Sequence, residues 1–266
     1  MTGDSFMFFS YGLITLALLL AIICLFLPRV DRFIKLSAGR IYKIYAEYTP
    51  IGYMIDDSLT PVSRRRLQRV AKKTLVLDMD ETLITAWIQR QDKRRQSPPN
   101  VPHDFKFVLS DSKYKGKVYV YKRPHVDHFL NCVSRWYDLV VFTCGTEHYA
   151  APILDFLDNG RGILTKRFYR HNTIDVAGLK AKYISLCSPD MANVLLLDNS
   201  NTECSFNVGN CIPIPSYKIG KKDEALLDLL PFLDALRFTR DVRSVLGKCT
   251  RFECLTTLLE SLGNYD

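Results

Sequence analysis

The sequence predicts an α/β protein built on an open, mainly parallel sheet flanked by helices, with a small β-hairpin insert and an N-terminal membrane helix. Three observations carry that expectation. Short apolar runs recur along the chain, and each closes on small or acidic polar residues. The segments between those runs are long enough to form helices. A separate apolar run, free of charge, opens the chain.

That opening run extends from Phe6 to Leu27. A spanning helix needs about 20 apolar residues, so the run is long enough. Asp4 is the only charge before it, whereas Arg29, Arg32, Lys35, Arg40 and Lys43 follow it. This asymmetry predicts a body that stays cytosolic and a short N-terminus on the far side. A cleaved signal peptide would carry its positive charge first and end in small residues; here Pro28-Arg29 stands at that place. Ser10, Tyr11 and Thr15 form a weak polar stripe, so a helix lying in one leaflet is the alternative anchor. Aromatic and basic residues then alternate from Phe33 to Tyr48, either along an anionic membrane surface or as a solvated linker. Arg64-Arg65-Arg66 and Lys72-Lys73 are short basic runs of a common kind, and no nucleic-acid partner is expected from them.

The first strand is read at Lys73–Leu77, ending in Asp78-Met79-Asp80-Glu81-Thr82-Leu83. A second runs over Asp138–Phe142 into Thr143-Cys144-Gly145, and a third over Val194–Leu197 into Asp198-Asn199-Ser200. Helices are expected at His125–Trp136, His148–Leu157 and Lys182–Cys187. Phe105–Leu109 and Lys117–Tyr121 alternate as a hairpin within an insertion over residues 88–117, whose Gln89–Arg95 stretch reads as a loop. Apolar residues at helical spacing over Leu226–Leu246 read as core packing.

In a parallel sheet the three polar strand ends converge on one edge, where open α/β sheets place their ligands. Asp78, Asp80, Thr143, Asp198 and Asn199 would then share one site. Paired aspartates repel unless a cation or proton intervenes. Such a pair suits phosphoryl transfer: one carboxylate attacks phosphorus, and the other protonates the leaving oxygen and later activates water. Oxygen ligands of this kind suit Mg²⁺, while a lysine and a hydroxyl would hold the phosphoryl oxygens.

Composition sets outer limits. At 266 residues, the chain allows one or two domains at the usual size of about 100–200 residues. With 47% hydrophobic and 24% charged residues it is neither a disordered tail nor a polytopic membrane protein. The excess of 36 Lys+Arg over 28 Asp+Glu, a net +8, suits a phosphorylated, nucleic-acid or anionic-membrane partner without choosing among them. The eight cysteines form no CxxC pair and sit in apolar segments, so reduced, mostly buried thiols are expected. Cys144, His125, His128 and His148 are given no chemical role.

Asp78-Met79-Asp80-Glu81-Thr82 resembles the DxDxT signature of haloacid-dehalogenase-type (HAD-like) phosphatases. Lys122-Arg123-Pro124, Phe142-Thr143, Asp155-Phe156-Leu157-Asp158 and Asp198-Asn199-Ser200 narrow the resemblance to the small C-terminal-domain protein phosphatases. The apolar N-terminus and Leu230–Thr239 narrow it again, to the Dullard branch, the nuclear envelope phosphatases. The resemblance implies Asp78 as nucleophile and Mg²⁺ ligand. Asp80 becomes the general acid and base and a ligand through its carbonyl, and Asn199 the third ligand. Thr143 and Lys182 hold the phosphoryl group, and Arg170 lies near the substrate phosphate. It also implies a phosphoserine or phosphothreonine protein substrate, such as a lipin-type phosphatidate phosphatase. A small transmembrane regulatory subunit and an endoplasmic reticulum and nuclear envelope location follow in the same way, with the catalytic domain facing cytosol or nucleoplasm. The expected domains are 1–28 (anchor), 29–69 (juxtamembrane linker), 70–247 (phosphatase) and 248–266 (tail). Met79, Thr85-Ala86, Cys144-Gly145 and Asn201 depart from the family pattern, which bears on loop rigidity and specificity. A catalytically weak phosphoprotein-binding module on the same fold is the alternative, although Asp78 and Asp80 are both kept.

Overall fold

A computed structural model describes residues 16–17, 27–41, 59–90, 97–110, 115–176 and 178–248. The chain divides into two units, Met1–Tyr48 with Pro99–Pro102, and Thr49–Pro98 with His103–Asp266. In the first, residues 27–41 form a helix, α1, that exposes Leu27, Val30, Phe33, Ile34 and Ile41. Among the described residues no helix is long and apolar enough to cross a membrane. The run expected to span lies almost wholly outside them, as does the expected tail beyond Lys248.

The second unit begins with α2 (Pro61–Leu67), capped by Thr60, whose hydroxyl accepts from the Ser63 amide. Its centre is a five-stranded sheet in the order β10-β9-β1-β5-β6, with every pairing parallel. These strands are β1 (Lys73–Leu77), β5 (Tyr137–Phe142), β6 (Lys166–Phe168), β9 (Val194–Asp198) and β10 (Cys211–Pro213). The three longest are the three runs read from the sequence. They are apolar almost throughout because helices or loops cover both faces of a parallel sheet.

Alternation along the strands divides the core in two. Leu75, Leu77, Leu139, Val141, Leu195 and Leu197 face the larger cluster with α3 (Val126–Trp136), α4 (Glu147–Asp158) and α6 (Ala225–Leu236). Val76, Val140, Phe142, Val194 and Leu196 face a smaller cluster with Ile184 and Cys187. Each of these fully buried side chains contributes about 1.5–3 kcal/mol. The α6 helix and Val242 and Leu246 beyond it are core, as their spacing predicts.

The insert has three strands rather than two: β2 (Ile84–Arg90), β4 (Lys115–Lys122) and β3 (Phe105–Ser110), in the order β2-β4-β3. The expected hairpin pairing of β3 with β4 is present. The stretch read as loop from Gln89 instead begins inside β2. Ile84, Ala86, Val118, Val120, Phe105 and Phe107 line one face toward the core, and that burial holds the strand. Phe105 stacks on Phe156 at 4.8 Å and seats the sheet against α4.

Two further expectations are corrected. Lys182–Cys187 is not an α-helix: β7 (Ile174–Val176) and β8 (Leu179–Ala181) form a hairpin, followed by a short 3-10 turn at Ile184–Leu186. The backbone groups of Lys182 bond to other side chains, so no helix begins there. Cys204 and Cys211 form a disulfide rather than two free thiols. Their Cα atoms lie 5.1 Å apart, where α5 (Asn201–Phe206) turns back into β10. Cys132, Cys144 and Cys187 are free.

Candidate active site

Strand register assembles the site. Leu77 lies opposite Val141 on one side and Leu197 on the other, which brings Asp78 level with Asp198 at the strand ends. Thr143 follows immediately on β5. Asp78 and Asp198 continue the face of Val76 and Leu196, toward the smaller core. Lys182 arrives from that side. Its ammonium donates to Asp78 Oδ1 at 2.5 Å and to Asp198 Oδ2 at 2.7 Å. All three residues are at most 5% exposed. Burial alone would lower the lysine, but the two carboxylates outweigh it and hold it above its ordinary value. Burial and the Asp78 charge push Asp198 up to about 6.

Asp80 sits on a turn in which Glu81 takes a left-handed conformation, φ 60°. Amides of Leu83 and Ile84 both donate to the Met79 carbonyl. Arg123 braces the turn from beneath, donating to the Glu81 and Thr82 carbonyls and, bidentately, to Asp223. The Asp80 carboxyl accepts from the Tyr149 hydroxyl at 2.6 Å and, at a long 3.5 Å, from Thr143 Oγ1. Burial and then the Asp78 charge push Asp80 up to about 6. A carboxyl there carries a proton in an appreciable fraction of molecules near neutrality, as an acid catalyst requires.

Thr143 is fully buried and accepts from the Gly145 amide at 2.9 Å. Arg170 is exposed; its amide donates to Gly145 and its Nε to the Cys144 carbonyl, so it is tied to the Thr143 loop. Asn199 follows Asp198 but bonds to Thr82, Ser216 and Glu81. The structure thus brings Asp78, Lys182 and Asp198 into one hydrogen-bonded set and Asp80, Thr143 and Tyr149 into another, with the Asp78 charge acting on Asp80 and with Asn199 and Arg170 on adjoining loops. Burial pushes the Cys144 thiol up to about 11, consistent with no thiolate role.

Tyr149 was not singled out in the sequence. Its position on the first turns of the helix after Thr143 was the available signal. Glu203 and Asn207 were also missed, because nothing local marks a side chain that bonds to backbone about twenty residues away.

The donor set fits a hard divalent cation. Asp78 and Asp80 crowd together with Asp198, and Lys182 offsets only part of their charge. Carboxylate, carbonyl and amide oxygens are the ligands that Mg²⁺ takes. Among the described residues no group of three His, Cys, Asp or Glu forms a metal cluster, so the carbonyl and amide donors would have to complete the set.

Buried aspartates and a lysine thus meet at the carboxyl ends of the parallel sheet, where open α/β sheets place their ligands. The sequence matches the NLI interacting factor-like phosphatase family over residues 73–243, and the chain belongs to that family. It is a protein phosphatase, a phosphoric monoester hydrolase. A Drosophila melanogaster protein named CTD nuclear envelope phosphatase 1 homolog is 44% identical over 84% of this chain and 91% of its own. CTD nuclear envelope phosphatase 1B of Danio rerio is 46% identical over 76% of this chain and 82% of its own. The solved structure of fission yeast RNA polymerase II CTD phosphatase Fcp1 superposes with a TM-score of 0.47 at 21% identity, covering 75% of this chain and 58% of that one.

Proposed function

We propose that the chain is a membrane-anchored, Mg²⁺-dependent protein serine/threonine phosphatase that works through an aspartyl-phosphate. The observation that carries this reading is the contact between Asp78, Lys182 and Asp198, with Asp80 beside them and bonded to Tyr149. An Asp78 oxygen attacks phosphorus as the bond to the serine or threonine oxygen breaks. Asp80 gives its proton to that oxygen. Asp80, now a carboxylate, takes a proton from water, whose oxygen attacks phosphorus and releases Asp78 and inorganic phosphate. Lys182 exchanges its bond to Asp78 for a phosphoryl oxygen, and Thr143 holds another. Arg170 steers the substrate's phosphate from the rim. When Mg²⁺ is bound, Asp78, the Asp80 carbonyl and Asn199 would hold it, and it would neutralise the phosphoryl charge.

In this reading residues 1–28 anchor the chain, 29–69 link it to the membrane, 70–247 form the catalytic domain and 248–266 a tail. The names of the relatives support the nuclear envelope as its place. The endoplasmic reticulum membrane, a lipin-type substrate and a small transmembrane regulatory subunit complete the proposal.

The test is hydrolysis of a phosphoserine peptide by the full chain in detergent micelles, with and without Mg²⁺, beside Asp78→Asn. Turnover that needs Mg²⁺ and falls about 10⁴-fold in Asp78→Asn is the expected result. Equal turnover by folded Asp78→Asn would remove the aspartyl-phosphate from the account.

A further inference from the structure

Lys182 lies between β8 and the 3-10 turn at Ile184–Leu186, outside any strand ladder. A buried backbone still needs its hydrogen bonds. Here they come from side chains of α5 and the residue that caps it. Glu203 Oε2 accepts the Lys182 amide at 2.8 Å. Asn207 Nδ2 donates to the Lys182 carbonyl at 2.8 Å and also to the Glu203 carbonyl at 2.9 Å. Both residues are 5% exposed. The α5 helix is in turn fixed to the site: Ser200 N donates to Asp198 Oδ1 at 2.8 Å, and the Glu203 amide donates to Ser200 Oγ at 3.3 Å. The hydrogen bonds close a ring from Asp198 through Ser200, Glu203 and the Lys182 amide, and back through the lysine ammonium to Asp198. The Cys204–Cys211 disulfide ties the same helix to β10.

We propose that Glu203, with Asn207, is a positioning clamp for Lys182, fixing its main chain so that the ammonium reaches the phosphoryl site. Burial and the Asp78 charge make a carboxyl costly at this place, so its bond to the Lys182 amide is the contact that accounts for it. What the Glu203 oxygen adds is an acceptor at the root of a flexible side chain with four rotatable bonds. With the root held, only the side chain's own torsions remain to be ordered by the two aspartates or by substrate.

The inference rests on the reading of Lys182 as the residue that holds the phosphoryl group. The experiment measures kcat and KM of the full chain in micelles on an aryl phosphate, with a thermal melt for every variant. Glu203→Met keeps the length and removes the acceptor; its kcat should fall about tenfold with KM within about threefold, as displacement of a catalytic group by a fraction of an ångström does. Glu203→Gln keeps an oxygen for the Lys182 amide and should stay within about threefold of wild type. Should Glu203→Met not fold, Asn207→Asp, which loses the donor to the Lys182 carbonyl, takes its place with the same expected loss. Unchanged kcat in the folded variant, or Glu203→Gln as impaired as Glu203→Met, overturns the clamp. Lys182→Met separates the two readings. If it keeps full turnover, the role given to Lys182 fails; if it loses turnover while Glu203→Met does not, only the clamp fails.

Discussion

The site holds its charged groups in two different ways. Asp78 and Asp198 stand at the ends of β1 and β9, where the parallel register alone sets their height. Lys182 has no ladder and is held by Glu203 and Asn207. Asp80 belongs with the lysine: its turn is braced by Arg123 and its carboxyl by Tyr149. Groups held by register depend on many backbone bonds and resist single substitutions. Groups held by side chains depend on one or two contacts, and those contacts are where the site can be loosened without unfolding the sheet.

The largest effect should come from Asp78→Asn. Turnover falls about 10⁴-fold, yet β1 keeps its ladder, so the far-UV spectrum and melting cooperativity stay those of the wild type. Loss of the folded signal would show that the strand end is not held by register. Tyr149→Phe removes the 2.6 Å bond to Asp80 and little else. It should lower kcat about tenfold, the usual worth of a hydrogen bond to a charged group, and unchanged kcat would show that Asp80 needs no brace. Gly145→Ala acts on the same tyrosine from behind. A Cβ there would sit 3.0 Å from the Tyr149 ring and 3.2 Å from Thr143 Oγ1. A drop of about threefold in kcat is expected, from a tight contact that the ring relieves by shifting; if kcat rises instead, the loop was too loose in the wild type.

The smallest effect is on stability, at a loop outside the site that is also held by a side chain. The Asp158 carboxylate accepts from the amides of Gly162, Ile163 and Leu164. Burial alone would raise it, but these bonds hold its pKa below the ordinary 3.8. A lowered folded value means stability that is present above the unfolded value and lost as pH falls through the folded one. Asp158→Asn should therefore cost about 1 kcal/mol near neutrality and cost less in acid, so the melting temperatures of variant and wild type converge as pH falls below about 4. Parallel curves down to pH 2 would contradict the role of the carboxylate.

Legibility followed the same division. The runs at β1, β5 and β9 are mostly apolar on both faces and five or six residues long, so each could be read by eye. β6, β7, β8 and β10 have three residues each, too few to show a period. β2 carries Thr85 and Gln89 on a strand whose other side is core, and its polar side made its end look like loop. The Cys204–Cys211 pairing depends on where α5 turns into β10, which spacing alone does not give.

By itself the sequence determined the parallel sheet, the edge at which its polar ends meet, and the identities of the acids placed there, while Lys182 was named only through the family resemblance. The sheet and the acids are local properties: apolar periodicity within a strand, and a carboxylate that has no place in a core without a partner. Tertiary structure alone decided how Lys182 and Asp80 are aimed. Their supports, Glu203, Asn207, Tyr149 and Arg123, come from distant parts of the chain, and a hydrogen bond between residues far apart in sequence leaves no local pattern to read.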